Sequence, residues 1–221
     1  MLHFHIISLF PESIQPYLGS SILGRAQKDR KIKVSFYDPK KFIYPERSRG
    51  ARVQDVRVDR RPYGGGPGMV LRPEPMLRAV RKAVGKKKAE VIFFSTDGAQ
   101  LDERMAQKIS KSAKKDIVLI CGHYEGVDER VATILKAKKI SIGPYVLTGG
   151  ELPAAIFIDA VSRFVPNVLG KAESLERSRV SSPRVYTRPE TLVWHGKKYK
   201  VPKVLLSGDH AKINKWKESK R

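Results

Sequence analysis

Two short apolar runs that each stop at a glycine constrain this chain more than any other feature in it. Ile117 to Cys121 carries no polar interruption, the pattern of a strand buried on both faces, which belongs in a helix-covered parallel sheet and not at a solvated edge. It stops at Gly122, where backbone can approach a ligand. HYEGVDER then turns the chain. From Val127 to Leu135 the apolar Val127, Val131, Ala132 and Leu135 recur at helical spacing, with Asp128 and Glu129 where a helix N-terminus favours acids. A second strand, Lys139 to Ile142, ends at Gly143. Two strands that end in glycine loops on one side of a parallel sheet leave unpaired amides and carbonyls around one crevice, where such sheets bind ligands. The plainer reading is that these glycines only make turns.

The same alternation runs through the rest of the first 165 residues. Phe4 to Phe10 reads as a buried strand closed by Pro11, which suits the first turn of a helix carrying Glu12. Lys31 to Tyr37 alternates polar or small residues with Ile32, Val34 and Phe36, a strand with one solvated face. Lys40 to Arg61 is basic and turn-rich and predicts a long surface loop. A helix follows from about Pro73 to Val84, then a buried strand from Glu90 to Ser95 that ends in Thr96, Asp97 and Gly98, then a helix with Met105 and Ile109 on its apolar side. Glu151 to Phe164 places Leu152, Ala155, Ile156, Ile158 and Val161 in a broad apolar stripe. The fold class predicted is α/β, a mostly parallel sheet with helices on both faces. RPYGGGPGM, Arg61 to Met69, is the densest glycine stretch, but it lacks the Lys-Ser/Thr pair of a P-loop and follows no buried strand, which argues against a nucleotide-hydrolysing site.

The 221 residues hold 44 Lys and Arg against 22 Asp and Glu, a net charge of +22. That balance points to a polyanionic partner, nucleic acid before membrane, since no segment approaches the roughly 18 apolar residues of a spanning helix. The single cysteine, Cys121, lies inside an apolar run and reads as a small core residue; no disulfide can form within one chain. MLHFHIISLFPE reads as a first strand and not as a signal peptide, which predicts a cytoplasmic protein. At Pro166 the pattern breaks, and residues 166–183 read as a linker. Lys171 to Arg221 carries 14 Lys and Arg against 5 Asp and Glu, so residues 184–221 read as a small basic domain that binds RNA. In it Leu192–Trp194 and Tyr199–Val201 suggest a hairpin, and Asp209 a cap for a helix with Ile213 and Trp216. Trp194, Tyr199 and Trp216 either stack on unpaired bases or build the small domain's core, the second reading being favoured for Trp216.

CGHYEG and SIGPYVLTGGELP together resemble the cofactor loops of the bacterial tRNA (guanine-N1) methyltransferases, members of the knotted SPOUT superfamily. The resemblance extends to Leu9, Phe10 and Pro11, to RPYGGGPGM, to IDAVSRFVPNVLG, to YTRPE and to LLSGDHAKINKW, in one order along most of the chain. It implies a C-terminal trefoil-knotted cofactor site after the sheet, a small mainly helical C-terminal domain, a homodimer with the cofactor site near the subunit contact, and tRNA as partner. It implies methyl transfer from S-adenosylmethionine to N1 of the guanine immediately 3′ of the anticodon. The cofactor residues carried over are Gly122, Tyr124, Gly126, Ser141, Ile142, Gly143, Pro144, Tyr145, Val146, Leu147, Gly149, Gly150 and Pro153, with Ser95 and Thr96 on the rim. RPYGGGPGM either helps hold the target guanosine or forms a rigid turn beneath the cofactor.

N1 of guanine carries a proton, so a base must remove it as the methyl arrives, and a cation or donor must hold the charge that appears on O6. By resemblance Arg163 approaches the guanine, and Glu125 meets the positive sulfonium or a magnesium ion. The family's aspartate base lies fifteen residues after the arginine, and here that position is Ser178, a poor base unaided. Glu176, two residues earlier, is the expected replacement, with Glu173 behind it. Two further departures are Pro144, where the family usually has aspartate, and Arg60, where it often does. The alternative function is a cofactor-binding, catalytically impaired RNA-binding relative; a related enzyme acting on ribosomal RNA is disfavoured by RPYGGGPGM and YTRPE together.

Overall fold

In the computed structural model, which describes residues 1–43, 57–169 and 184–219, hydrophobic strands and amphipathic helices alternate as their periodicities require. Strand β1 (Leu2–Ile7) leads through a 3-10 turn, Pro11–Ser13, into α1 (Gln15–Leu18) and α2 (Ser21–Lys28). Then come β2 (Ile32–Tyr37), a second 3-10 turn (Pro39–Phe42), the two-residue strands β3 (Asp59–Arg60) and β4 (Val70–Leu71), and α3 (Pro73–Val84). The remainder of the first unit is β5 (Ala89–Gln100), α4 (Glu103–Ser110), β6 (Asp116–Ile120), α5 (Arg130–Leu135), β7 (Lys138–Ser141) and α6 (Glu151–Ser162). The main sheet has the order β2-β1-β6-β5-β7, and every pairing in it is parallel.

Because side chains alternate across a strand, the sheet sorts its apolar residues into two cores. Leu2, Phe4, Ile6, Ile117 and Leu119 pack with Leu18, Leu23, Ile109, Phe157 and Val161 under α1, α2, α4 and α6. Ile7, Phe93, Val118 and Ile120 pack with Met76, Val80 and Val131 under α3 and α5 on the other face. The mostly parallel α/β sheet read from the sequence is the one observed. Cys121 is fully buried, and burial, with the nearby Glu151 charge adding to it, pushes its thiol well above the usual value, so it is the inert core residue expected.

Several boundaries differ from those read in the sequence. Helix α5 begins at Arg130 and not at Val127; Asp128 stays outside it and accepts the Arg130 N–H at 3.0 Å. Asp59–Arg60, expected in a long loop, pairs with Val70–Leu71 as a hairpin that carries the RPYGGGPGM turn. Strand β5 does not stop before Thr96: Phe94 and Ala99 both pair with Ile140, so residues 95–98 loop out and the strand resumes to Gln100. The apolar stripe of α6 is only partly inward, since Leu152 and Ile156 are exposed while Phe157, Ile158 and Val161 are fully buried.

Contacts divide the chain after Val168. In the second unit β8 (Thr191–Trp194) and β9 (Lys197–Lys200) pair antiparallel around His195 and Gly196, both at positive φ as a tight hairpin turn demands. Helices α7 (Lys203–Leu206) and α8 (His210–Glu218) follow, and Asp209 caps α8 by accepting the Lys212 N–H at 3.1 Å. Trp194 and Tyr199 are exposed, whereas Trp216 is half-buried and packs on Tyr186 with ring centroids 6.2 Å apart. No helix among the described residues is long and apolar enough to cross a membrane.

Candidate active site

The turns that follow β6 and β7 lie against each other, held by main chain. His123 and Gly149 form an antiparallel bridge, and the Gly150 N–H donates to the Gly122 carbonyl at 2.9 Å. Glycine is required at position 150 by space: a Cβ there would sit 2.5 Å from Cys121 Cα and 2.8 Å from the Gly122 nitrogen. Gly126 is required by conformation, at φ 118°, and Tyr124 beside it takes φ 60°, an unfavourable angle for a non-glycine residue. The loop HYEG is therefore held in one shape, and Glu125 N–H donates to Met69 O at 3.0 Å, joining it to the end of the RPYGGGPGM turn.

A buried polar network ties this crossing to the start of the chain. Glu151, the first residue of α6, is 4% exposed. Its carboxylate accepts the Ser8 hydroxyl at 2.5 Å and lies 2.8 Å from His123 Nε2, so a group that would be costly to bury alone is satisfied on both oxygens. Phe10 packs edge-on to the His123 ring at 4.7 Å. Ser8 lies more than a hundred residues before His123 and Glu151, and no local pattern in the sequence marks any of the three as functional.

Between these turns and the loop-out of β5 lies one cleft, open to solvent and not filled by side chains. Its lining comprises Ser95 and Thr96 from β5; Gly122, Tyr124, Glu125 and Gly126 after β6; Ser141, Ile142, Gly143, Tyr145, Val146, Leu147, Gly149 and Gly150 after β7; and Pro153 of α6. Phe94, His123, Ile140 and Thr148 complete it, all adjacent in sequence to residues already named. Of the residues carried over as cofactor contacts, Pro144 alone is outside the lining; it is an exposed residue of the same turn. The Ser141 hydroxyl, buried, donates to the Gly143 carbonyl at 3.0 Å and shapes that turn. Asp97, beside the cleft, is held below the usual carboxylate value by hydrogen bonds from the Ser95 hydroxyl and Lys139.

The walls are chemically divided. Phe94, Ile140, Ile142, Val146 and Leu147 offer apolar surface, the glycine turns offer main-chain donors and acceptors, and Glu125 is the one carboxylate among the described lining residues. Arg163 does not reach this cleft within the chain: it is the exposed residue closing the C-terminus of α6, ten residues past Pro153, roughly 15 Å along the helix axis at 1.5 Å per residue. Glu173, Glu176 and Ser178 lie outside the described residues.

The sequence pattern of the family described as tRNA (Guanine-1)-methyltransferase matches residues 2–221. The tRNA (guanine-N(1)-)-methyltransferase of Pseudoalteromonas atlantica is 42% identical over 221 residues, covering 97% of this chain and 78% of that protein. Proteins of the same name from Clostridioides difficile, 39% identical over 98% of this chain and 90% of their own length, and from Proteus mirabilis, 42% identical over 96% and 82%, match it as fully. With pattern and relatives in agreement along nearly all of its length, the chain belongs to the tRNA (guanine-N1)-methyltransferase family.

Proposed function

We propose that this protein is a methyltransferase that uses S-adenosylmethionine to methylate N1 of the guanine immediately 3′ of the anticodon in tRNA. The observation that carries the reading is the convergence of three loops, after β6, after β7 and within β5, around a single cleft lined by glycine turns, apolar side chains and one carboxylate. Such a lining fits the cofactor: apolar walls at Phe94, Ile140 and Leu147 suit the adenine, main-chain groups at Gly122 and from Ser141 to Leu147 suit its polar edges, and the Glu125 carboxylate suits a cationic sulfur. When bound, S-adenosylmethionine supplies an electrophilic methyl group on that sulfur. Glu125 is also the lining group that would hold a magnesium ion.

The chain must supply a base for the guanine N1 proton and a cation for the charge left on O6. We assign the first role to Glu176, near the family position taken here by Ser178, and the second to Arg163. Two copies acting together reconcile Arg163 with the cleft, because the helix places it too far along α6 to serve its own. Support for a homodimer comes from the exposed Leu152 and Ile156 on α6 and the exposed Tyr145 and Val146 at the cleft rim, apolar surface beside the site that a second subunit would cover. We read the crossing of Gly149 and Gly150 over Cys121 and Gly122 as the knotted passage of the superfamily, residues 166–183 as the linker, and the basic residues 184–221 as a tRNA-binding domain. Such an enzyme works in the cytoplasm, where its tRNA is.

Calorimetric titration with S-adenosylmethionine, followed by single-turnover methylation of tRNA carrying G or A at the target position, tests the reading. The expected result is cofactor binding and methylation of G alone. Glu176→Gln is expected to slow transfer at least about 100-fold, the usual scale of a lost general base; an unchanged rate would remove Glu176 from the mechanism, and Glu173→Gln then tests the second candidate. Ser178 keeps one other reading open, a cofactor-binding relative that has lost catalysis, and binding without turnover would favour it.

A further inference from the structure

The far end of the sheet carries a cluster of side chains that the methyltransferase chemistry does not use. His3 and His5 are two residues apart on β1, so both point to the α3 face of the sheet. The parallel register sets His3 opposite Asp116, the first residue of β6, and His5 opposite Ser35 of β2. Among the described residues, His3, His5 and Asp116 form a group whose ligand atoms all lie within 4.8 Å of one another. Asp116 Oδ1 is 2.8 Å from His5 Nε2 and 3.6 Å from His3 Nδ1. Ligand atoms about 2.0–2.1 Å from a tetrahedral metal ion stand roughly 3.3 Å apart, a spacing that the two separations from Asp116 Oδ1 bracket.

From this arrangement we infer that His3, His5 and Asp116 form a site for a divalent transition metal of the zinc type, distinct from the cofactor cleft at the opposite end of the same strands. The surroundings are those of a ligand set and not only of a hydrogen-bond cluster. Each imidazole has its other nitrogen on a hydroxyl: His3 Nε2 is 2.8 Å from Ser35 Oγ, and His5 Nδ1 is 3.3 Å from Tyr37 Oη. Those hydroxyls can accept the N–H of the tautomers that direct His3 Nδ1 and His5 Nε2 lone pairs at the ion, the outer-shell pattern typical of histidine ligands. Two nitrogen donors and one carboxylate select a borderline metal over magnesium, which prefers oxygen. His3 and Asp116 side chains are each 17% exposed, so water can reach the fourth position.

Two cations oppose the ion, Lys33 and Lys87, whose charges act on both histidines. Lys87 Nζ lies 3.8 Å from Asp116 Oδ1, on a side chain that is 68% exposed and can swing to solvent. The site links adjacent strands β1 and β6 directly and β2 through its hydroxyls, so an ion there would pin the amino-terminal edge of the sheet.

The test uses the full chain, stripped with a chelator and titrated with Co²⁺ followed by visible absorption, and with Zn²⁺ followed by calorimetry and thermal melting. Expected are one equivalent bound, a d–d spectrum of low coordination number, and a raised Tm with Zn²⁺. His3→Gln and Asp116→Asn should each weaken binding at least about tenfold, whereas His195→Gln and His210→Gln, in the second unit, should not change it. Lys87→Ala keeps all three ligands and should tighten binding a few-fold, a gain that a misfolded variant would not give. No stoichiometric Co²⁺ or Zn²⁺ binding at about 100 µM, or binding that survives both His3→Gln and Asp116→Asn, overturns the site. Because metal binding is read without cofactor or tRNA, either result leaves the methyltransferase reading where it stands.

Discussion

At Gly150 the absence of a side chain decides whether the cleft can exist. Its α-carbon passes so close to Cys121 and Gly122 that an added methyl would meet backbone, with nothing flexible to yield, and its own N–H holds the crossing together at 2.9 Å. Gly150→Ala should therefore force the two loops apart. The expected cost is about 1–3 kcal/mol of stability, the usual scale of overpacking, seen as a lower urea midpoint, together with at least a tenfold loss of S-adenosylmethionine affinity by calorimetry. A variant of wild-type affinity and stability would mean that the crossing does not shape the site. Gly150 is marked in the sequence only as one of the cofactor residues carried over by resemblance; that chain passes chain there is seen in the fold. The neighbouring Glu151 gives no such signal. An acid at the first turn of a helix reads as a solvated partner of the dipole, and only the fold shows it buried against Ser8 and His123.

Elements with both ends written locally are legible in the sequence, and those finished by distant partners are not. Helix α3 runs from Pro73 to Val84 as its sequence predicts, because proline sets its first turn and Gly85 its last. Strand β5, read locally, ends at Ser95, since Ser-Thr-Asp-Gly has every mark of a turn; that the chain leaves and rejoins Ile140 is a property of the partner strand. The same strand carries the sheet's main interior charge. Glu90, 6% exposed, sits at the start of β5, 3.2 Å from Lys114 and paired also with Lys138 at the head of β7. Burial pushes its carboxyl up, but hydrogen bonds and charge from Lys138 and Lys114 outweigh that and hold it below the usual value. A carboxyl depressed in the folded state binds fewer protons than in the unfolded chain, so its stabilisation is present above the ordinary value of 4.5 and is lost as pH falls through the folded one. Glu90→Gln should thus lower stability at pH 7 by on the order of 1–3 kcal/mol, less than a fully buried pair because both lysines reach solvent. The gap between variant and wild type should close as pH drops below about 4.5, a convergence that urea titrations at pH 7 and pH 4 would reveal. A gap that stays constant with pH would locate the effect in packing and not in charge.

Across the whole molecule the excess of 22 positive charges sets how it meets its substrate. Net charge says nothing of fold, but it fixes the sign and the salt dependence of encounter with a polyanion. The fold then decides which charges are usable. Lys114 and Lys138 are committed to Glu90, and Lys139 to Asp97 and Glu129. Lys197, Lys198 and Lys200 stand on β9, exposed, next to the exposed Trp194 and Tyr199, a mixture of cations and rings suited to phosphates and unpaired bases. If this hairpin carries tRNA, replacing the three lysines by alanine should weaken tRNA binding more than about tenfold, and it should reduce the steepness of affinity against salt by roughly one unit for each phosphate that the hairpin no longer neutralises. Fluorescence anisotropy of labelled tRNA between about 50 and 200 mM salt measures both quantities. Affinity for S-adenosylmethionine should stay unchanged, because the cleft residues all belong to the first unit. An unaltered salt slope in the triple variant would move the RNA-binding surface off the hairpin and onto the basic faces of the first unit, even with the methyltransferase assignment intact.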